Sequence, residues 1–66
     1  MATMWAVQAI KQRKTDDGWS SAIPLPTFYL SEWVGGKDSA RKVAEEILGA
    51  SDVNQFTIAI ERVEVV

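Results

Sequence analysis

Cysteine and histidine are both absent from this 66-residue chain. The protein therefore has no disulfide framework and no thiolate chemistry, and the two residue types that most often hold structural metals are missing. A chain of this length removes only about 60% of its unfolded surface from water on folding, so it needs further stabilisation. Packing and association remain as sources, and we expect a homodimer without a cofactor.

Long apolar runs and a dominant sign of charge are also lacking. No stretch approaches the roughly 18 apolar residues of a membrane span, and no charged start precedes an apolar run, so neither a membrane helix nor a signal peptide is expected. The net charge is −2 and the hydrophobic fraction is 47%, which is typical of a globular chain. We expect one soluble domain over residues 1–66 in a cytoplasm.

Residues 4–13 and 55–65 have the alternation that is typical of strands. The TDDG cluster at residues 15–18 predicts a turn, because aspartate bonds nearby amides and glycine accepts a positive φ. A second extended segment then runs to about residue 34.

Residues 38–48 change to a helical period. Asp38 or Ser39 is expected to cap the helix, and Gly49 to end it in the left-handed conformation. The order ββαβ predicts an α+β fold, in which a three-stranded antiparallel sheet of order 2-1-3 carries the helix on one face. The apolar stripe of the helix consists of Ala40, Val43, Ala44, Ile47 and Leu48.

The only two prolines of the chain, Pro24 and Pro26, lie in the second extended segment. Proline has no N–H to donate to a strand ladder. We therefore expect the nitrogens of both prolines to face the outer edge of the sheet, while the amides of Leu25 and Thr27 point at the first strand. The alternative is a proline-rich recognition motif, but the PxxP spacing of such ligands is not present.

Alternation assigns the strand side chains to two faces. One face is expected to pack beneath the helix and to carry Trp5, Val7, Phe28, Leu30, Phe56, Ile58 and Ile60. The other face has no charge in the predicted set, which is Ala6, Gln8, Ile10, Leu25, Tyr29, Thr57 and Ala59. So apolar a face is typical of a contact site, unless a bulge swaps the alternation or the hairpin arm covers it.

The outer edge of the third strand has no proline, and only Glu61, Arg62 and Glu64 discourage pairing with another chain. Two copies related by a two-fold axis are expected either to pair these edges or to bury their uncovered faces.

Catalysis is not expected. Asp16 and Asp17 form a turn, and Ser20 and Ser21 have no histidine to activate them. We therefore predict a non-enzymatic protein.

A basic run of Lys11, Arg13 and Lys14 beside Trp19 offers an alternative function, weak nucleic-acid binding without sequence specificity. On the predicted topology this run lies at the hairpin tip, at the opposite end of the sheet from the basic residues that begin the helix. The net negative charge also gives no general attraction to phosphate, so nucleic acid is the less favoured partner.

Protein contact is the favoured function. Tryptophan is enriched at interface hot spots, and Trp19, beside Gly18, is the better anchor, whereas Trp33 is at least as well explained as closing one end of the core. The predicted partner-binding residues are Trp19, Ile10, Leu25, Tyr29, Thr57 and Ala59.

Residues 27–48, TFYLSEWVGGKDSARKVAEEIL, resemble a group of small uncharacterised proteins of actinobacterial phages. The shared features are an aromatic TFYL-type strand, a short turn, and a helix with alanine and arginine that ends in isoleucine and leucine. The resemblance covers about a third of the chain. It implies an accessory phage protein in a bacterial host cytoplasm that binds a host or phage protein, and it carries over no site residues.

Overall fold

The structure, a computed structural model, describes residues 2–65 and has an α+β fold with one α-helix and an antiparallel sheet, as the sequence predicts. A single 3-10 turn joins the sheet to the helix within that range. The elements in chain order are β1 (Ala2–Thr15), β2 (Gly18–Trp19), β3 (Ile23–Pro24), β4 (Phe28–Ser31), the 3-10 turn (Glu32–Val34), α1 (Lys37–Leu48) and β5 (Asn54–Val65).

The long strand β1 is the centre of the sheet. It pairs antiparallel with β5 along residues 2–13, and on its other side it pairs with β4, β3 and β2 in turn. The central position of the first strand is as predicted. The prediction of three strands is wrong in number, because the sheet has five strands: residues 18–31, which we call the hairpin arm, are divided among three of them.

The register of the pairs explains the division of the arm. Val7 lies opposite Phe28, but Ile10 lies opposite Pro24, and Lys14 opposite Trp19. One extra residue has therefore entered the arm between β4 and β3, and another between β3 and β2. Such insertions are β-bulges, which interrupt the ladder and increase the local twist.

The first bulge lies beside the prolines. The amide of Leu25 donates to the carbonyl oxygen of Ala9 at 2.9 Å, as predicted. Successive residues of a strand point their backbone groups to opposite sides. Because the amide of Leu25 faces β1, the nitrogen of Pro24, which carries no hydrogen, faces away from β1. The prolines therefore lie where the sheet needs no donor.

The core lies between the sheet and α1, on the face that the sequence predicts. Val7, Ala40 and Ala44 are fully buried, and the two helix alanines let the backbone of α1 approach the strands closely. Around this centre pack the buried side chains of Trp5, Leu30 and Ile60, and the partly buried ones of Phe28, Val34, Val43 and Ile58.

The C-terminal end of α1 is capped as the sequence predicts, whereas its N-terminal end is not. At its C-terminal end Gly49 adopts φ 75° and donates to the carbonyl of Glu45, which confirms the predicted left-handed cap. At its start the prediction of Asp38 or Ser39 as the cap is wrong: the helix begins one residue earlier, after Gly36, without a side-chain cap from the residues described. Ile47 is also 60% exposed, so the apolar stripe is not buried along its whole length.

Candidate contact surface

The side of the sheet away from α1 is not covered by any element of residues 2–65. Alternation along β1 places every second side chain there, and the register adds their partners on the neighbouring strands. We call this surface the open sheet face. Between Met4 and Gln12 of β1, its residues are Met4, Ala6, Gln8, Ile10 and Gln12 of β1, Pro24 of β3, Tyr29 and Ser31 of β4, and Gln55, Thr57, Ala59, Glu61 and Val63 of β5.

Large apolar side chains remain exposed on the open sheet face. Ile10 is 41% exposed and Tyr29 is 54% exposed. Three shallow depressions follow one another along the face, around Ile10, Ala6 and Met4. Ala59 borders the first two and Tyr29 the last two, so the depressions form one continuous surface.

One charged residue interrupts the face near its middle. Ala6 lies directly opposite Tyr29 on one side and opposite Glu61 on the other, so these three residues form a row across the sheet. The prediction that this face carries no charge holds for the predicted set but is wrong for the face as a whole. Because the side chain of Ala6 is small, the phenol of Tyr29 and the carboxylate of Glu61 lie on either side of a shallow depression.

Two of the predicted contact residues lie at the margins of this surface. The bulge brings Leu25 opposite Ala9, one step of alternation away from its predicted position, and Leu25 is half-buried beside Pro24. Trp19 lies opposite Lys14 near the tip of the arm and is 42% exposed. The structure thus brings Ile10, Leu25, Thr57 and Ala59 together around one depression, and the face continues past Ala59 to Tyr29. Trp19 lies apart from them, near the tip of the arm.

The outer edge of β5 is partly occupied, which the sequence analysis missed. Because the carbonyl of Ala9 points at the hairpin arm, its partner Ile58 turns its own carbonyl away from β1. The Nη1 atom of Arg41 on α1 donates to that carbonyl at 3.0 Å. Farther along the same edge, the amide of Ser51 donates to the carbonyl of Asn54 at 3.0 Å.

Trp33 is the most exposed large apolar side chain of the described residues, with 92% of its surface accessible. The prediction that it closes the core is therefore wrong. The turn that presents it is held in place: Ser31 Oγ accepts from the amide of Trp33, and the Nε1 atom of Trp5 donates to the carbonyl of Gly35 at 3.1 Å. The sequence signal for this turn is a serine cap followed, after three residues, by two glycines.

A charged cluster fastens the same turn to the sheet. Glu32 pairs with Arg62 at 3.1 Å and also accepts a hydrogen bond from Thr3. The guanidinium of Arg62 lies 5.8 Å from the centre of the Trp5 ring, within the range of a cation–π interaction. The hydrogen bond from Thr3, followed by that from Arg62, lowers the pKa of Glu32 below its ordinary value. A lowered pKa is the opposite of what a carboxyl group acting as a general acid near neutral pH needs.

The basic residues proposed for nucleic-acid binding do not share one surface. Alternation places Lys11 and Arg13 on the helix side of β1 and Lys14 on the open side. They also lie near the turn of the hairpin, whereas the helix that carries Arg41 begins beside the opposite end of β1.

The residues weighed for catalysis have structural roles. Asp16 and Asp17 form the turn between β1 and β2. Ser20 Oγ accepts from the amide of Arg13 at 2.9 Å, and so takes part in the second bulge. Residues 2–65 contain no group of three or more acidic side chains placed to hold a metal ion.

Comparison of the chain with protein-family models, with curated proteins and with solved structures gives no match. Within the described range, no helix has the length and apolar character required to cross a membrane.

Proposed function

We propose that this protein is a small non-enzymatic binding protein that acts by protein–protein contact, through self-association, through binding of a host or phage protein, or through both. The observation that carries the proposal is the open sheet face, a continuous surface on which Ile10 and Tyr29 remain exposed and over which no element of residues 2–65 lies. Contiguous surfaces of this kind are uncommon on monomers and mark contact sites.

The size of the core supports the same function. Among residues 2–65 the buried core cluster beneath α1 has six members, and two of them are alanine. So few large side chains give a core that stabilises a lone chain only weakly, because apolar burial contributes about 25 cal/mol per Å². Covering Ile10 and Tyr29 with a partner adds the burial that the fold lacks.

The edges of the sheet are less suitable for contact than its face. Along the hairpin arm, Pro24 and the two bulges interrupt any regular row of donors. Along β5, Arg41 and Ser51 already occupy two of the outward carbonyls. Of the two modes of association that the sequence allows, burial of faces is therefore favoured over pairing of edges.

The resemblance of residues 27–48 to actinobacteriophage proteins supports an accessory role in a bacterial host cytoplasm, by analogy alone. The nucleic-acid alternative has less support, since Lys11 and Arg13 lie on a different face from Lys14. Phosphate binding at neighbouring positions requires cations on one surface.

Lysine substitutions on and off the face test the proposal. Ile10→Lys places a charge in the middle of the open sheet face, and Ile47→Lys makes the same change on α1 at a site that is even more exposed. In sedimentation velocity at micromolar concentration we expect Ile10→Lys to lose association and Ile47→Lys to keep it. Equal behaviour of the two variants would contradict the assignment of the contact to the face.

A further inference from the structure

We propose that the open sheet face is covered by a second copy of this chain, and that the two-fold axis runs along β1 between the two sheets. In this arrangement the hydroxyl of Tyr29 in each copy donates to the carboxylate of Glu61 in the other. The inference rests on the proposed function, since it names the partner and the orientation at the same surface.

The single chain exposes more surface than a compact monomer of its size. Its accessible surface is 4860 Å², whereas a compact monomer of this mass exposes about 4200 Å². Its radius of gyration is 13.2 Å, whereas about 11 Å is typical of a domain of this length. The excess belongs to an elongated sheet with one face uncovered, which is surface that a partner can bury.

The open sheet face is large enough for a specific interface. Twelve paired residues of β1 and β5 extend for about 40 Å, and three strand widths give about 14 Å across the sheet. Two such faces in contact bury on the order of 1100 Å² or more, which reaches the lower limit of specific protein interfaces. A second copy therefore suffices to cover the surface.

Tyr29, Ala6 and Glu61 form a row across the open sheet face. The two outer residues lie one strand spacing, about 4.8 Å, on either side of β1. A two-fold rotation about an axis along β1 exchanges the two sides, so each Tyr29 comes to lie over Glu61 of the other copy. A phenol hydroxyl is a donor and a carboxylate is an acceptor, so the row is complementary to itself and forms two charge-assisted hydrogen bonds.

The side chains of β1 on the open sheet face are also compatible with this axis. Each of them lies on the axis and therefore contacts the same residue of the other copy. Met4, Ala6 and Ile10 meet apolar partners, and the amide of Gln8, which has both donors and an acceptor, pairs with its own copy. A two-fold axis across the strands through Gln8 instead places Met4 over Gln12. Apolar and amide groups are then opposed, and the Tyr29 and Glu61 pairs are lost.

A distance between two identical spin labels distinguishes the orientations. The chain has no native cysteine, so Asp17→Cys, in the exposed turn at the end of β1, carries a single label far from the face. With the axis along β1 the two turns lie at the same end, and we expect a label separation of about 20–30 Å for sheets stacked about 10 Å apart and crossed by about 30°. With the axis across the strands the separation is more than about 40 Å, because the turns point in opposite directions.

The outcomes separate this inference from the proposed function. A separation near 20–30 Å that disappears in the Ile10→Lys background supports both. A separation beyond about 40 Å that is equally sensitive to Ile10→Lys overturns the orientation while the open sheet face stays the contact surface. A monomer without a dipolar signal overturns the second copy as the occupant.

Conservative substitutions test the proposed hydrogen bonds without enlarging any side chain. Tyr29→Phe is expected to raise the dissociation constant of the dimer at least about tenfold, since a hydrogen bond to a charged group is lost at two related positions. In Glu61→Gln the amide oxygen still accepts from the phenol, so only the charge assistance is lost and a smaller increase is expected. Glu46→Gln, an exposed change on α1, is the control and is expected to leave the constant unchanged. An unchanged constant in Tyr29→Phe would overturn the pairing.

Discussion

The three tryptophans of the chain have three different environments. Trp5 is buried between the sheet and the 3-10 turn, Trp19 is half exposed near the hairpin tip, and Trp33 is almost fully exposed. The alternation of β1 predicts the position of Trp5. Trp33 is the middle residue of the 3-10 turn, two positions beyond the end of β4, so its direction depends on the turn and not on any strand.

Alanine substitutions of Trp5 and Trp33, the most buried and the most exposed of the three tryptophans, should separate their roles. Trp33→Ala is expected to change the free energy of unfolding by less than about 0.5 kcal/mol, as exposed substitutions usually do. Trp5→Ala is expected to cost about 3–5 kcal/mol, because it leaves a cavity and removes the bond to Gly35. Urea unfolding followed by circular dichroism measures both. A large loss of stability in Trp33→Ala would contradict the exposed position.

The lowered pKa of Glu32 makes a pH-dependent contribution to stability. Because the pKa is lower in the folded chain than in the unfolded one, the contribution is complete above the ordinary glutamate pKa of about 4.3 and is lost as the pH falls through the lower folded value. The stability of Glu32→Gln should therefore fall less steeply than that of the parent protein below about pH 4. Thermal unfolding between pH 3 and pH 7 checks this, and parallel curves would contradict the interaction.

At the scale of elements, periodicity predicts most of the fold. Strong alternation identifies β1 and β5, and the helical stripe around Ala40 and Ala44 identifies α1. The division of the hairpin arm was not predictable in this way, because a bulge is a property of the pairing register and not of one strand alone. The same limit explains why Leu25 lies at the margin of its predicted face, opposite Ala9. Glu61 is different, because it has the same alternation as Thr57 and Ala59, and the sequence alone therefore indicates its place on the open sheet face.

The edge of β5 shows how an element can be protected by its neighbour. Arg41→Ala removes the donor from the carbonyl of Ile58, and we expect a loss of about 1–2 kcal/mol in stability together with faster aggregation through the freed edge. Lys42→Ala removes the same charge from an exposed neighbour and is the control. Static light scattering over time compares them, and equal aggregation would contradict the protective role of Arg41.

At the scale of the whole molecule, the shape follows from the sheet. The chain measures 47 × 18 × 13 Å, because β1 runs the full length of the molecule and one helix covers only part of one face. The sequence predicted the uncovered face from alternation. It did not predict that burial of faces is favoured over pairing of edges. That preference depends on the hydrogen bond from Arg41 to the carbonyl of Ile58 on the edge of β5, which alternation does not reveal.

The most direct test of the central claim is the mass of the unmodified protein in solution. Multi-angle light scattering over a dilution series from about 100 to 1 μM should give twice the mass of the chain at the upper end of the concentration range. We expect the mass to fall on dilution, because an interface of this size is at the lower end of specific complexes. A mass equal to that of a single chain throughout the series would contradict self-association through the open sheet face.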